Sequence, residues 1–74
     1  MSNFNNTFWQ RQHLADRLFE IDSRIDANND NLRKLAQRAR DANDFYQAHK
    51  ILDLIEINLD EKKINNLRRL LLQA

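Results

Sequence analysis

The chain has 74 residues and contains no glycine, no proline and no cysteine. Without glycine it cannot form a P-loop, a dinucleotide-binding turn or a glycine-dependent nucleophile elbow, and without cysteine it has no disulfide and no thiolate metal site. Its 12 basic and 11 acidic residues give a net charge of +1, which does not indicate bulk nucleic-acid binding.

The first helix is predicted to begin at residue 8, after a short N-terminal lead of residues 1–7. Thr7 and Gln10 have the spacing of a capping box, in which the Thr7 hydroxyl accepts from the Gln10 N–H and the Gln10 side chain reaches back. Residues 8–74 are then expected to form a single helical hairpin, with a helix over 8–40, a turn over 41–43 and a helix over 44–73.

Apolar residues of the first helix recur at alternating spacings of three and four, which is typical of a helix that packs against another helix. The small residues Ala15 and Ala36 occupy e positions and would let another helix approach closely there. The g positions include Arg17, Arg24 and Arg38, which make that edge positive. The a positions hold Arg11, Leu18, Ile25, Leu32 and Ala39, and the d positions hold Leu14, Ile21, Asn28 and Leu35.

The segment 26–31 is the one place where this helix could break into two. Its Asp and Asn residues favour caps and turns, because their side chains compete for backbone hydrogen bonds. Since Ile25 and Leu32 keep the heptad phase across it, we expect a continuous helix; a break would give three helices. Asn28 is either a buried polar residue that helps to set the register of a bundle or a residue that faces solvent.

The turn is predicted between the two helices because Asp41 or Asn43 can serve as the N-cap of the second one. At 1.5 Å per residue the helices would be about 50 Å and 43 Å long. Two such arms joined by a short turn form an antiparallel αα-hairpin. This turn would place Lys62, Lys63, Arg68 and Arg69 opposite roughly residues 15–22, which include Asp16, Glu20 and Asp22.

The second helix carries two apolar stripes, whereas a hairpin needs only one. The first stripe holds Phe45, Ala48, Leu52, Ile55, Leu59, Leu67 and Leu70, and the second holds Tyr46, Ile57, Ile64 and Leu71. Left in solvent, the second stripe would be a long apolar strip for a soluble monomer. We therefore expect an all-α fold, an antiparallel two-helix hairpin that dimerises into a four-helix bundle, with the second stripe as its association surface. The expected hairpin seam consists of Leu18, Ile25, Leu32, Leu35, Leu52, Ile55 and Leu59.

Residues with catalytic or metal-binding chemistry are few and scattered. His13 and His49 would lie towards opposite ends of the hairpin, so they could not share a metal ion within one chain. Ser23 falls at an outward position with no histidine near it in sequence, and a nucleophile needs a base within hydrogen-bond reach. We expect no enzyme activity, no catalytic residue, no cofactor and no metal.

The segment 33–40 holds four cations and no acid, which suggests an alternative function. Two copies of this patch in a dimer could grip a phosphate backbone, although basic residues at a helix C-terminus also complement the helix dipole. In size and hairpin plan the chain resembles the plasmid copy-number regulator Rop, a dimer of αα-hairpins that binds paired RNA loops. The resemblance implies a bundle that binds nucleic acid through Arg33, Lys34, Arg38 and Arg40.

Three aromatic residues near the chain start have two interpretations. Phe4, Phe8 and Trp9 could pack against residues 70–72 and cap the open end of the bundle. Alternatively they could anchor a partner, because aromatic side chains dominate binding hot spots.

The function expected from these patterns is a non-enzymatic helical-hairpin interaction module of the adaptor, regulator or co-chaperone type. Its partner would be a second copy, another protein helix, or both. In outline the chain is similar to the two-helix co-chaperones of type III secretion systems, which shield aggregation-prone subunits, and to small phage and plasmid regulators. No apolar run reaches the roughly 20 residues of a membrane span, and the start does not resemble a signal peptide, so we expect a cytoplasmic protein.

Overall fold

Two long helices make up the protein. The computed structural model describes the backbone of residues 3–73 and the side chains of residues 8–73. Helix α1 spans Asn3–Asp41 and helix α2 spans Phe45–Gln73, and the two pack against each other along their length. The resulting rod measures 63 × 16 × 11 Å between Cα atoms. The expected all-helical hairpin is thus confirmed.

Helix α1 begins before the predicted start at residue 8. Because residues 3–7 are already helical, Thr7 lies inside the helix, and the prediction of an N-cap at Thr7 is wrong. The predicted lead shrinks to residues 1 and 2, which lie outside the described part of the chain. The physical reason is that Asn and Thr cost a helix only about half a kcal/mol per residue relative to Ala, and no proline or glycine interrupts this segment.

The Asp- and Asn-rich segment 26–31 does not interrupt α1, in agreement with the prediction of a continuous helix. Three of its side chains are held from α2, since Asp26, Asn28 and Asn29 all accept hydrogen bonds from residues of that helix. Another, Asp30, accepts from Arg33 one turn further along α1 at 3.0 Å. Side chains with such partners no longer compete for the backbone hydrogen bonds of their own helix.

The turn occupies residues 42–44 and has the hydrogen bonds of a Schellman motif. The Asn43 N–H donates to the Arg40 carbonyl at 2.9 Å, and the Asp44 N–H donates to the Ala39 carbonyl at 2.8 Å. Asn43 takes the left-handed conformation that this motif requires, with φ of 60°. Asp44 caps α2, because its carboxylate accepts the Gln47 N–H at 3.1 Å. The predicted N-cap at Asp41 or Asn43 is therefore wrong.

The two helices run antiparallel, and their contact positions alternate at spacings of three and four. The hydrogen bonds between them join Asn29 to Asn58, and Asp22 to Asn65, so residue numbers rise along α2 as they fall along α1. On α1 the buried or half-buried residues at this spacing are Ala15, Leu18, Asp22, Ile25, Asn29, Leu32, Ala36 and Ala39. On α2 they are Ala48, Ile51, Ile55, Asn58, Lys62, Asn65, Arg69 and Leu72.

Four of the seven residues of the predicted seam lie in this seam, and three do not. Leu18, Ile25, Leu32 and Ile55 are covered, as predicted, whereas Leu35, Leu52 and Leu59 are exposed. On α1 the seam combines the predicted a positions with the e positions, because the small Ala15 and Ala36 admit α2 on that side. The e positions also hold Asp22 and Asn29, whose polar side chains find partners on α2. Because these seam residues are polar, the apolar periodicity of the sequence did not identify them as part of the seam.

Candidate interaction surface

The centre of the seam is a cluster of asparagines. The Asn58 side-chain amide donates to Asn29 Oδ1 at 2.7 Å and to Asn28 Oδ1 at 2.8 Å. Asn29 is only 1% exposed, and its own Nδ2 finds no hydrogen-bond partner among the described residues. Asn28 is exposed at the edge of the seam, so the alternative of a buried residue is wrong; it faces solvent and accepts a hydrogen bond from α2.

A second polar cluster lies nearer the open end of the hairpin. Buried Asp22 accepts from Asn65 Nδ2 at 3.1 Å and also from Arg69, while Arg68 donates to Asn65 Oδ1 at 3.0 Å. The predicted meeting of basic residues of helix two with Asp22 is confirmed for Arg69. Lys62 instead pairs with Asp26 at 2.6 Å, outside the predicted stretch of residues 15–22.

The polar seam leaves the hairpin with a small apolar core. Among the described residues, only five hydrophobic side chains are buried: Leu18, Ala36, Ala48, Ile51 and Ile55. Two of the five are alanines, which bury little apolar surface. Buried ion pairs and amide bonds set register, but their desolvation cost cancels much of their attraction. These polar contacts therefore set the register of the two helices but add little to the stability of the isolated hairpin.

One side of the hairpin is apolar and exposed, and we call it the front face. Each of its residues directly precedes a covered residue of the same helix, so all lie on one flank of their helix. Because the helices are antiparallel, these two flanks form one face. The front face consists of Leu14, Ile21 and Leu35 on α1 and of Leu54, Ile57, Ile64 and Leu71 on α2.

A groove on the front face shows that the two helices contribute to one surface. It has a volume of about 390 Å³ and lies near the open end of the hairpin. Leu14 and Ile21 form one wall and Leu71 the other, with Leu18 and Leu72 beneath. The aliphatic chains of Arg17 and Arg68 complete the lining. The groove is therefore shaped for apolar side chains presented at helical spacing.

Three of the four predicted association residues lie on this face. Ile57 is 62% exposed, Ile64 45% and Leu71 76%. Tyr46 is also exposed, but it lies further round α2, where the Lys50 ammonium sits 4.9 Å from the centre of its ring. The structure thus brings Ile57, Ile64 and Leu71 together and leaves Tyr46 apart.

The other front-face residues were not in the predicted association surface. Leu14, Ile21 and Leu35 were assigned to d positions, and of these only Leu35 was placed in the predicted hairpin seam; Leu54 belonged to neither predicted stripe. The sequence does contain a signal for them. In two antiparallel helices, Asp22 lies level with Asn65, and Asn29 lies level with Asn58. When these polar residues pair in the seam, the d positions of α1 face away from it.

The front face is bordered by arginines on α1 and by charges of both signs on α2. Arg17, Arg24 and Arg38 each follow a front-face residue by three positions, which places them beside it. On α2, the acidic residues Asp53 and Asp60 each precede a front-face isoleucine by four positions, and the basic residues Lys50 and Arg68 each directly precede a covered residue. Their nearest partners are weak or local: Arg24 pairs with Glu20 at 2.7 Å, Asp53 with His49 at 3.9 Å and Asp60 with Lys63 at 3.9 Å.

The opposite side of the hairpin, the rear face, has fewer exposed apolar residues. They are Phe19, Phe45, Leu52, Leu59 and Leu70. The ion pair between Lys62 and Asp26 lies at its centre. This interruption makes the rear face a useful reference for experiments on the front face.

The aromatic residues near the chain start extend past the end of α2. Phe8 and Trp9 pack edge to face with ring centres 5.5 Å apart, and both remain more than half exposed. Phe8 also lines a groove with Leu72 and Gln73, which agrees with capping of the open end. The side chain of Phe4, the third predicted anchor, lies outside the described residues.

The four predicted nucleic-acid contacts do not converge on one side of α1. Arg33 and Arg40 each follow a covered residue, whereas Arg38 precedes one, so they lie on opposite flanks of the helix. Lys34 lies on the side of α1 that faces away from α2. Arg33 already pairs with Asp30 at 3.0 Å. A phosphate backbone following one face would meet only part of this set.

Comparison with known proteins gives no relative: no family model, no curated protein and no solved structure matches the chain. Within the described residues, no helix has the length and apolar character needed to cross a membrane. The described side chains also contain no group of three His, Cys, Asp or Glu residues placed to hold a metal ion.

Proposed function

We propose that the protein is a non-enzymatic helical-hairpin interaction module of the adaptor, regulator or co-chaperone type. It acts through the front face, either by self-association into a four-helix bundle or by holding an apolar helix of another protein. The observation that supports this most strongly is the distribution of apolar side chains. More large apolar residues lie exposed on the front face than lie buried between the helices.

The energetics favour an occupied front face. Burying a leucine or isoleucine side chain stabilises by about 1.5–3 kcal/mol, and each half-exposed residue would gain part of that. Six exposed front-face residues together offer a gain comparable with the roughly 4–15 kcal/mol that association costs in lost translational and rotational freedom. The same burial would add the apolar core that the polar seam lacks.

The mechanism is the docking of a helix into a groove. Ile57, Ile64 and Leu71 recur every seven residues, so they form a straight ridge along α2. Leu14 and Ile21 form a second ridge on α1, and the groove of about 390 Å³ lies between the two. An incoming helix would place its own apolar residues at spacings of three and four into this groove.

The alternative is a Rop-like bundle that binds nucleic acid through the basic segment of α1. It has less support, because the four basic residues point to different sides of the helix. The two functions respond differently to salt: phosphate contacts weaken steeply as salt rises, whereas apolar packing does not.

The test compares one front-face change with one rear-face change on the same helix. Ile57→Asp places a charge in the proposed contact, whereas Leu52→Asp introduces the same charge at a similarly exposed rear-face position. We expect Ile57→Asp to lower the solution mass to that of the monomer and Leu52→Asp to leave it unchanged, as measured by sedimentation. Equal masses for both variants and the unmodified protein, with no loss of binding to any partner helix, would contradict the proposed surface.

A further inference from the structure

Four cations border the front face in two pairs, one pair near each end of the hairpin. The hydrogen bonds of the seam set the levels of the two antiparallel helices. At the open end, Arg17 of α1 lies nearly level with Arg68 of α2. Near the turn, Arg38 of α1 lies nearly level with Lys50 of α2. The two pairs are roughly 30 Å apart, at 1.5 Å per residue along α1.

These four cations have no acidic partner in the hairpin. Among the described residues, none of the four forms an ion pair. Arg68 donates to the neutral Oδ1 of Asn65, and Lys50 lies over the ring of Tyr46. By contrast, both cations within the seam pair with carboxylates of α1. The positive charge beside the front face is therefore available to carboxylates of an occupant.

The groove at the open end shows how an occupant would meet one of these pairs. Arg17 and Arg68 line it from α1 and α2, and its other lining residues are leucines and an isoleucine, so no acid lines it. The nearest acids of α2 lie elsewhere. Asp53 and Asp60 are on the side of α2 that faces away from α1, and Glu61 lies between the two cation pairs. An apolar side chain in the groove would therefore have a guanidinium on either side of it.

We infer that the front face binds an amphipathic helix of another protein that carries carboxylates on both sides of its apolar stripe. This inference rests on the proposed function and specifies the chemistry of the partner. The leucines and isoleucines of the front face receive the apolar stripe, and the cation pair at each end receives Asp or Glu side chains from both flanks of the partner helix. Such charged contacts select the partner, whereas the apolar contacts supply most of the affinity.

A second copy of this chain satisfies these cations less well. If both turns are at the same end, α1 of one copy lies over α2 of the other, and Arg17 faces Arg68 of the second copy. If the turns are at opposite ends and the overlapping parts of the helices are aligned, Arg17 faces Arg38 of the second copy instead. Like charges meet at both ends of the interface in either arrangement, which is unfavourable. Self-association through the front face is therefore weaker than the binding of an acid-flanked helix, and the two compete for the same residues.

Two synthetic helical peptides test the charge of the partner. Both carry the same apolar stripe at spacings of three and four and are long enough to span both cation pairs; one has Glu and the other has Lys at the positions that flank the stripe. We expect the Glu peptide to bind roughly tenfold more tightly than the Lys peptide at low salt, as measured by fluorescence anisotropy of the labelled peptides. Added salt should narrow this difference, because it screens exposed charges. Equal binding of the two peptides, or tighter binding of the Lys peptide, would overturn the inference and leave the proposed function standing.

Charge reversal at one cation pair locates the contact. Arg17→Glu combined with Arg68→Glu should weaken binding of the Glu peptide by roughly tenfold or more and strengthen binding of the Lys peptide, because repulsion replaces attraction at two positions. Lys34→Glu combined with Lys63→Glu is the matched control, since it makes the same change in net charge at exposed positions away from the front face. The control should leave both affinities within about twofold. If it weakens the Glu peptide as much as the first variant does, net charge alone drives binding and the inference is wrong.

The front-face variant Ile57→Asp separates failure of this inference from failure of the proposed function. It should abolish binding of the Glu peptide while the protein stays helical by circular dichroism. If neither peptide binds and Ile57→Asp still lowers the solution mass, a second copy is the occupant; the inference is then wrong and the proposed function stands. If neither peptide binds and Ile57→Asp leaves the mass unchanged, both are wrong. Binding to vesicles of anionic lipid in preference to the Glu peptide would make an anionic surface the occupant and would also overturn the inference.

Discussion

Among the described residues, Asp22 accepts two of the five side-chain hydrogen bonds that join the helices. It is 7% exposed and accepts hydrogen bonds from Asn65 and from Arg69 of α2. A carboxylate so placed has lost its water, and only these partners compensate for that loss. Removing it would leave an arginine half-covered in the seam without its counter-charge.

Replacing Asp22 should therefore destabilise the protein strongly. We expect Asp22→Ala to lower the free energy of unfolding by about 2–4 kcal/mol, because breaking one half of a buried ion pair costs about 3–5 kcal/mol and Arg69 retains some contact with water. Asp16→Ala is the control: Asp16 is exposed and, among the described residues, accepts only from Gln12, at 3.0 Å, so its loss should cost less than about 0.5 kcal/mol. Urea denaturation measures both, and equal losses would contradict the assigned role of Asp22.

At the scale of the elements, the turn determines how the two helices meet. Asn43 holds a left-handed conformation with φ of 60°, which ends α1, and Asp44 begins α2 by capping it. Asparagine tolerates this conformation better than most residues, and glycine tolerates it best. A chain without glycine therefore ends its long helix with the next most suitable residue.

Changes at Asn43 should separate backbone conformation from side-chain contacts. Asn43→Gly should stabilise the hairpin by up to about 1 kcal/mol, whereas Asn43→Ala should destabilise it by about 1 kcal/mol, since alanine strains at positive φ. Ala42→Gly, at the neighbouring position where no positive φ occurs, should destabilise. Thermal unfolding followed by circular dichroism checks all three; a lower melting temperature for Asn43→Gly would show that the turn is not set by backbone strain.

The elements themselves were predictable from the sequence to within a few residues. The three-and-four spacing around Leu18, Ile25 and Leu32 indicated α1, and its continuity across residues 26–31 followed from the heptad phase. The start of α1 was missed because a capping-box pattern at Thr7 has no effect inside a helix that begins at Asn3. Caps depend on where the helix ends, and the local pattern alone does not determine that.

The seam was harder to predict than the helices. Sequence periodicity assigns apolar residues to the inside, so Leu35, Leu52 and Leu59 were expected there. The structure instead pairs Asn29 with Asn58 across the hairpin, which no periodicity of one helix reveals. Ile57, Ile64 and Leu71 were nevertheless correctly expected to lie outside the seam, because their stripe is apolar independently of it.

At the scale of the whole molecule, the protein is a thin rod that buries three polar residues between its helices and leaves many large apolar side chains exposed. This distribution differs from that of a stable monomer, in which leucine and isoleucine fill the core. Closing two front faces together would restore the usual order, with apolar residues at the centre of four helices. Folding and association of this chain should therefore be coupled, so that its helicity depends on its concentration.

The most direct test is the solution mass of the unmodified protein by light scattering over a wide concentration range, with helicity measured by circular dichroism in the same samples. The account predicts a mass of about twice the 8.9 kDa of one chain at high concentration, and a joint loss of mass and helicity on dilution. A fully helical species that keeps the mass of a single chain at every concentration would show that the hairpin is stable alone, and would contradict the claim that the front face completes its fold.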